Sequence, residues 1–284
     1  MCKQFLTMER VAAALLLTVA FFAGPARAEV SLRVDAQPIT GPIQAFVSVT
    51  DANGDPVAGL TPGDFIVTLD NDPITLSGFT LPPDQNSSRK VSVVIVMDYS
   101  LSVQNTFLAA MQDSVVSFIN AMNPGDYAAI VKFNLTNPDK ASVVQPFTQI
   151  DGAAGTSALI SAVMAPYPGS GTNLLDAVDL AVDQFRAPPV PLPSGPKAVI
   201  AITDGADLDS LLSQSGVVDN ANGANIPIFT IGVGDVNQTG LDLLNNLATQ
   251  TGGDYVPAPT DPEITAAYAT ISMLLNTEYR LTIP

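Results

Sequence analysis

The sequence predicts an α/β fold: a doubly wound, mostly parallel central sheet flanked by helices, preceded by a small all-β module. Three runs rich in Val and Ile, at residues 91–97, 197–203 and 226–233, are typical of strands buried on both faces of a parallel sheet. Segments with helical periodicity alternate with these runs. Residues 29–88 carry only short apolar stretches separated by turn residues, which favours strands.

The first residues have the pattern of an export signal. Lys3 and Arg10 precede an apolar run at 11–23, and Ala26 and Ala28 supply the small residues that a signal peptidase needs. An uncleaved anchor is the alternative, but the run is shorter than the roughly 20 residues that span a bilayer. We expect cleavage after Ala28, no membrane span in the mature chain, and a periplasmic or secreted (extracellular) protein.

Composition excludes several classes of function. The one cysteine, Cys2, lies in the predicted signal, so the mature chain can form no disulfide. The net charge of −16 becomes −18 after cleavage, because the signal carries three basic residues and one acidic residue. Nucleic acid is therefore excluded as a partner. The absence of histidine removes the Ser-His-Asp triad and His-ligated metals, which leaves oxygen ligands for any metal site.

The β module is predicted at residues 29–88. Its strands are expected at 30–34, 44–49, 65–69 and 74–79, with turn residues at 51–56 and a linker rich in Pro, Asn and Ser at 82–90. The module is short for a complete sandwich, so a strand from elsewhere in the chain could complete it.

The α/β domain is predicted at residues 89–284. After its first buried strand the order of elements is a helix, two strands, two helices, a strand, a helix, a strand, two helices and a last strand. We expect them at 107–122, 127–133, 143–147, 156–164, 174–185, 197–203, 208–218, 226–233, 241–249, 262–275 and 279–283.

Oxygen-bearing side chains cluster where two buried strands end. Asp98, Ser100 and Ser102 follow the first strand, and Asp204 follows the strand that ends at Thr203. A loop with the sequence Gly-Ser-Gly-Thr-Asn supplies Thr172 and opens a helix. Because ligands gather at the carboxyl ends of strands in open α/β sheets, we expect two aspartates and three hydroxyls to converge on one edge.

These motifs resemble the metal-ion-dependent adhesion site of von Willebrand factor type A (VWA) domains: Asp-x-Ser-x-Ser after the first strand, a Thr in a later glycine-rich loop, and Thr-Asp-Gly after a central strand. The resemblance runs from the first buried strand to the end of the sequence. It implies Ser100, Ser102 and Thr172 as direct ligands of a divalent cation. Asp98 and Asp204 would act largely through ordered waters and through hydrogen bonds to those hydroxyls.

Oxygen ligands suit hard cations, and we expect Mg²⁺, with Ca²⁺ and Mn²⁺ as alternatives. The resemblance implies one open coordination position, which an Asp or Glu carboxylate of a partner protein fills. Residues 103–105, Val-Gln-Asn, lack the acidic side chains of a second adjacent metal site. The predicted function is therefore an exported, single-metal, adhesion-type protein-binding module that is not an enzyme.

The β module has a weaker resemblance to the immunoglobulin-like (Ig-like) segment that precedes VWA domains in some secreted bacterial proteins. The shared pattern, Asp-x-x-Gly-x-Pro-Val-x-Gly-Leu, covers residues 51–60. It suggests a bacterial source, and it leads to the hypothesis that the terminal strand at 279–283 pairs with this module instead of the central sheet.

Structural interpretations remain for the same residues. Asp98 and Ser100 could form a turn or cap the following helix, and Thr172 could cap the next. Asp207 and Asp209 either attract the cation or complement the dipole of the helix predicted at 208–218.

Two functional alternatives remain as well. One is a metal-dependent hydrolase that activates water, and the other is a structural subunit with an empty site. Asp176, Asp179 and Asp183 share a helix face, which favours a solvated acidic stripe, with a weak cation site as the alternative.

Overall fold

The structure is a computed structural model. It describes residues 15–19, 29–35, 43–50, 57–69, 72–82, 89–134, 141–205 and 207–284. The turn predicted at 51–56 and most of the linker predicted at 82–90 lie outside these residues. In the part of the chain that is described, no helix is long and apolar enough to cross a membrane.

The first part of the chain contains six strands. They are β1 (Leu15–Val19), β2 (Glu29–Asp35), β3 (Ile43–Thr50), β4 (Phe65–Leu69), β5 (Asp72–Ile74) and β6 (Gly78–Thr80). β1 lies inside the predicted export signal and pairs antiparallel with β4, which also pairs with β5. Removal of the signal would leave β4 and β5 as the described strands of this sheet.

Strands and helices alternate through the rest of the chain. In order they are β7 (Ser92–Asp98), α1 (Leu101–Thr106), α2 (Leu108–Ala121), β8 (Tyr127–Phe133), β9 (Ala141–Gln149), α3 (Ala154–Met164), α4 (Leu174–Arg186), β10 (Lys197–Thr203), α5 (Gln214–Ala224), β11 (Ile228–Val233), α6 (Gln238–Thr251), β12 (Tyr255–Ala258), α7 (Asp261–Thr277) and β13 (Tyr279–Ile283).

Three details of this order differ from the prediction. The helix predicted at 107–122 is α2, and the short helix α1 that precedes it was not predicted, because α1 buries only Val103 and so has no apolar period. The helix predicted at 208–218 begins at Gln214. The residues before it form a loop, because the N–H groups of Leu211 and Leu212 donate to the Asp176 carboxylate. β12 was not predicted: it is a short strand at the edge of its sheet and contains Pro257, which weakens a strand pattern.

The central sheet has six strands in the order β12, β11, β10, β7, β8, β9. All neighbours are parallel except β8 and β9, which are antiparallel. The predicted fold class, a mostly parallel sheet flanked by helices, is confirmed. After β7 the chain extends the sheet in one direction, through β8 and β9, and then crosses to β10 on the other side. This reversal makes the carboxyl ends of β7 and β10 the topological switch point, where open sheets bind ligands.

The core lies on both faces of this sheet. Val93, Ile95 and Met97 of β7 pack in one buried cluster with residues of α2, α3 and α7. Val94 and Val96 pack in the opposite cluster with α4, α5 and α6. Burial of alternate side chains on both faces explains why β7 is apolar without interruption.

The terminal strand β13 completes the β module. It pairs antiparallel with β3, where Leu281 faces Ala45, and with β6. The four-stranded sheet β2, β3, β13, β6 and the β4 side of the module share one apolar cluster that includes Phe65 and Tyr279. The hypothesis that the last strand pairs with the module is confirmed. The side chain of Arg89, at the start of the α/β part, donates to the carbonyls of Leu81 and Glu278 and so ties the two ends of the module together.

Two buried tyrosines give a matched test of this closure. The Tyr279 hydroxyl accepts the N–H of Leu60 (3.2 Å) and donates to the carbonyl of Val57 (3.0 Å), whereas the buried Tyr268 hydroxyl has no partner among the described atoms. We expect Tyr279→Phe to lower the free energy of unfolding by about 1–3 kcal/mol, because two buried backbone groups lose their partner. Tyr268→Phe should leave it unchanged or slightly higher. Urea denaturation measures both, and equal losses would contradict the closure described here.

Candidate metal centre

Asp98 is the last residue of β7, and its side chain is fully buried at the switch point. One carboxylate oxygen accepts the N–H of Ser100 (2.7 Å), and the other accepts the hydroxyl of Thr203 (2.6 Å) at the end of β10. Burial raises the pKa of Asp98 to about 6, hydrogen bonds from Thr203 and Ser100 oppose that rise, and the charge of Asp204 adds to it. The carboxylate therefore fixes the loop after β7 and joins it to the next strand.

Ser100 and Ser102 extend this arrangement toward the surface. Their hydroxyl oxygens lie 3.2 Å apart, and the Ser102 hydroxyl donates to the carboxylate of Asp204. Ser100 occupies the N-cap position of α1, but its side chain makes no capping hydrogen bond. The capping interpretation of Ser100 is therefore wrong, while the turn interpretation of Asp98 holds, because Asp98 accepts the Ser100 N–H.

Thr172 lies in the glycine-rich loop before α4, with its side chain buried. Gly171 in this loop has φ +87°, a conformation that side-chain-bearing residues rarely adopt. The Thr172 N–H donates to the Asp209 carboxylate (2.9 Å), and its carbonyl accepts the N–H groups of Leu208 (3.0 Å) and Asp209 (2.9 Å). The N-cap of α4 is Asn173, so Thr172 does not cap that helix.

Three hydrogen-bonded links join the three loops at this edge of the sheet. Ser102 to Asp204 connects the loop after β7 with the loop after β10. Asp209 connects the loop after β10 with the glycine-rich loop. Gln104 donates to the carbonyl of Gly169 (3.1 Å) and so connects the glycine-rich loop with α1. The structure thus brings Asp98, Ser100, Ser102 and Asp204 into one hydrogen-bonded chain and holds Thr172 to the same edge through its backbone.

The acidic residues beyond the site have roles that sequence analysis did not identify. Asp209 and Asp207 belong to a loop and not to a first helical turn, because Asp176 on α4 accepts the N–H groups of Leu211 and Leu212, both at 3.0 Å. The helix-dipole interpretation of Asp207 and Asp209 is therefore wrong. Asp176 is also more than part of a solvated stripe, since it holds this loop in place.

Two residues that were not predicted as site residues complete the site, although Thr203 belongs to the Thr-Asp-Gly motif. Thr203 binds Asp98, and Gln104 links two loops. Both have sequence positions next to the predicted ligands, which is the only signal that could have found them. Asn173 is fully buried, and neither polar atom of its amide has a partner among the described atoms.

The donor set fits a hard cation because it consists of hydroxyl and carboxylate oxygens. Among the described residues no group of three or more His, Cys, Asp or Glu side chains could hold a metal. A metal at this edge would therefore depend on Ser and Thr hydroxyls, with Asp98 and Asp204 as the two carboxylates. The unpartnered amide of Asn173, next to Thr172, marks a buried polar position with hydrogen-bonding capacity to spare.

A second polar network lies next to the site and joins β8, the end of α3 and Tyr99. The Lys132 ammonium on β8 donates to the carbonyls of Val163 (3.0 Å) and Ala165 (2.6 Å) at the end of α3, and it lies 4.4 Å from the centre of the Tyr99 ring. The Tyr99 hydroxyl donates to Val163 as well (3.0 Å). A cation at a helix carboxyl terminus is stabilising, so this network fixes α3 against the residue that follows Asp98.

Comparisons with known proteins identify one family for this chain and several solved structures with the same fold. A family model described as "von Willebrand factor type A domain" matches residues 92–267, which is more than half of the chain. No curated protein sequence matches the chain.

Solved structures of the same fold have low sequence identity to this chain. A von Willebrand factor type A protein from Catenulispora acidiphila has a TM-score of 0.56 and 16% identity, with 88% of this chain and 50% of that chain covered. Proximal thread matrix protein 1 from the mussel byssus has a TM-score of 0.54 and 15% identity, with 73% and 49% covered. The pilus adhesin SpaC from Lactobacillus rhamnosus GG has a TM-score of 0.52 and 11% identity, with 88% and 35% covered. The chain thus spans half or less of the length of these proteins.

The second polar network predicts a pH dependence. Burial lowers the pKa of Lys132 from its ordinary 10.5 to about 8. Between these values the unfolded chain binds more protons than the folded chain, so the free energy of unfolding rises with pH. We expect the wild-type value to rise relative to that of Lys132→Met between pH ~8 and ~10.5. Urea denaturation of both proteins across this range measures the difference, and Lys197→Met controls for the loss of one positive charge. A difference that stays constant or falls would contradict the burial of a charged Lys132.

Proposed function

We propose a function for this chain on the premise that it belongs to the von Willebrand factor type A domain family. It is an exported protein-binding module of adhesion type. One divalent cation, Mg²⁺ by preference, is held at the carboxyl ends of β7 and β10, and an Asp or Glu side chain of a partner protein binds to that cation.

The observation that carries the proposal is the joining of three loops at one edge of the sheet, where the carboxylates of Asp98 and Asp204 lie in one hydrogen-bonded chain with Ser100 and Ser102. Ser100, Ser102 and Thr172 would supply hydroxyl oxygens to the ion. Asp98 and Asp204 would hold those hydroxyls and the waters of the ion. Asp98 already accepts the Ser100 N–H and the Thr203 hydroxyl, so the loop after β7 and the end of β10 are held together at the proposed site.

The charge distribution explains why the ion would accept a third carboxylate. Hydroxyl ligands are neutral, so they leave much of the positive charge of a divalent cation uncompensated. Mg²⁺ favours six oxygen ligands and exchanges a water for a carboxylate oxygen. When bound, the ion supplies a directional attraction for a carboxylate, which an exposed ion pair lacks.

The exposure of the site residues supports a partner that approaches from outside. Asp98, Ser100 and Thr172 are buried, Asp204 is half-buried, and Ser102 is exposed. The site therefore opens at the Ser102 side. The chain itself is acidic, with a net charge of −16, so an acidic partner needs a cation at the contact. The likeness in fold to a pilus adhesin is in keeping with a binding role.

A hydrolase that uses the same ion would need a concave pocket at the ion. The described structure has a cleft of about 750 Å³, including its open mouth, between α2 and α7, with Ser114, Phe118 and Tyr268 in its lining. None of the five proposed site residues lines this cleft. This cleft therefore does not provide a hydrolase with a pocket at the proposed ion.

The role of Ser102 gives the test of this function. Its hydroxyl is exposed, so Ser102→Ala should fold normally while losing one ligand. In calorimetric titration we expect the wild type to bind one Mg²⁺ per chain and Ser102→Ala to bind it at least about tenfold more weakly. In the same variant, Mg²⁺-dependent capture of the partner from the surface proteins of the source cells should be lost, and EDTA should release the partner from the wild type.

The control is Ser117→Ala, which removes another exposed serine hydroxyl, on α2, and should change neither result. Capture that persists in EDTA and in Ser102→Ala would contradict the proposal. Mg²⁺-dependent turnover of phosphoester or peptide substrates, lost in Ser102→Ala, would replace it with the hydrolase.

A further inference from the structure

Four leucines around the candidate metal centre are exposed to solvent. Leu101 lies between Ser100 and Ser102 and is 56% exposed. In the loop after Asp204, Leu208 is 79% exposed, Leu211 is 85% exposed and Leu212 is 41% exposed. Only seven large apolar side chains are exposed in the described part of the chain, and more than half of them lie at the start of α1 or in the loop after Asp204. We call these four residues the leucine rim.

The loop that carries three of these leucines is firmly held. The N–H of Leu208 donates to the Thr172 carbonyl, and the N–H groups of Leu211 and Leu212 donate to the Asp176 carboxylate. The Ser210 hydroxyl donates to Asp207 (2.6 Å) within the same loop. The leucines are therefore exposed on a backbone with fixed hydrogen bonds, and not on a loop that could fold them inward.

Fixed, exposed leucines contribute little to the stability of the free protein. A large apolar side chain stabilises a protein only when it is removed from water, and the leucine rim gains little by this route in the chain alone. Several exposed apolar side chains grouped within one loop, as Leu208, Leu211 and Leu212 are, are typical of a binding surface. Because Leu101 is next to Ser102, and the loop with the other three leucines follows Asp204 and is hydrogen-bonded to Thr172, a partner bound at the ion would also cover leucines.

The charges of the same loops restrict the partner further. Asp176, Asp207 and Asp209 lie on or next to the leucine-bearing loop, and the chain carries 27 acidic residues against 11 basic ones. A partner segment with several carboxylates would be repelled everywhere except at the cation. A segment with one carboxylate and apolar neighbours would be repelled least and would cover the most leucine surface.

We propose that the partner segment is a protein surface with a single Asp or Glu flanked by bulky apolar side chains, whose carboxylate binds the ion while its apolar neighbours pack on the leucine rim. This proposal rests on the proposed function and adds the chemistry of the partner to it. Burial of the partner's apolar side chains against the leucine rim strengthens binding, and the ion fixes the position of the partner's carboxylate.

Three short synthetic peptides test the proposal. The first has a central Glu flanked by Leu, the second has the same Glu flanked by Ser, and the third has a central Gln flanked by Leu. Fluorescence anisotropy with the full chain in Mg²⁺ should show the Leu-flanked Glu peptide binding at least about tenfold more tightly than the Ser-flanked one. The double variant Leu208→Ser, Leu211→Ser should remove this preference.

Matched controls separate the rim from the ion. The double variant should bind Mg²⁺ as the wild type does, because it changes no proposed ligand. Ile66 on β4 of the β module is 44% exposed. Ile66→Ser therefore removes an exposed apolar side chain far along the sequence from the rim, and it should leave the preference for the Leu-flanked Glu peptide intact.

Each contrary result has one meaning. If both Glu peptides bind equally and need Mg²⁺, the proposed function stands and the leucine rim does not select the partner. If the Leu-flanked Glu and Gln peptides bind equally with or without Mg²⁺, the metal-dependent function itself fails. If the double variant abolishes self-association of the chain in sedimentation and no peptide preference exists, a second copy of this chain covers the rim, and the proposal is overturned.

Discussion

The structure of the site depends on the burial of one carboxylate at the point where the central sheet reverses direction. Asp98 is removed from water at the end of β7, so every favourable contact it makes must come from the protein. Its hydrogen bonds to Ser100 and Thr203 satisfy both oxygens and, in doing so, fix the start of α1 and the end of β10. The hydroxyls of Ser100 and Ser102 and the carboxylate of Asp204 are placed as a consequence. Because a buried charge without hydrogen bonds would cost free energy, Ser100 and Thr203 must stay within hydrogen-bonding distance of Asp98.

Much of the fold could be predicted because the apolar pattern of each buried strand lies within its own segment of the sequence. The buried runs of β7 and β10 are apolar without interruption, and this pattern alone identified both strands and the residues that follow them. The start of α5 could not be predicted for the opposite reason. Residues 208–213 have a helical pattern, but the distant Asp176 carboxylate binds two of their N–H groups and holds them in a loop. A tertiary hydrogen bond overrides local propensity in such a case.

The residues of the candidate site likewise divide into those that could be predicted from the sequence and those that could not. The five proposed site residues were predicted from motifs at two strand ends and in the glycine-rich loop, and the structure places four of them in one hydrogen-bonded chain. The residues that join the loops were not found, because Gln104 and Asp209 act on backbone groups far away in sequence. The leucine rim was also missed, since exposure of an apolar residue has no signature in a sequence. The pairing of β13 with the β module was anticipated only because the module was short of a strand.

The β module and the α/β part are connected through their ends. α7 leads directly into β13, which pairs with strands of the module, and Arg89 binds the Glu278 carbonyl between α7 and β13. The module therefore contains described strands from both before and after the α/β part, with the site at the carboxyl ends of β7 and β10 in between. This arrangement leaves the leucine rim on loops of the α/β part, where a partner can approach the ion.

A crystal structure of the chain grown with Mn²⁺, with its anomalous scattering measured, tests the central claim most directly. The account predicts one anomalous peak within coordination distance of the hydroxyl oxygens of Ser100, Ser102 and Thr172. A peak elsewhere, for example beside Asp179 and Asp183 on α4, or a Thr172 side chain turned away from an ion at Ser100 and Ser102, would contradict it.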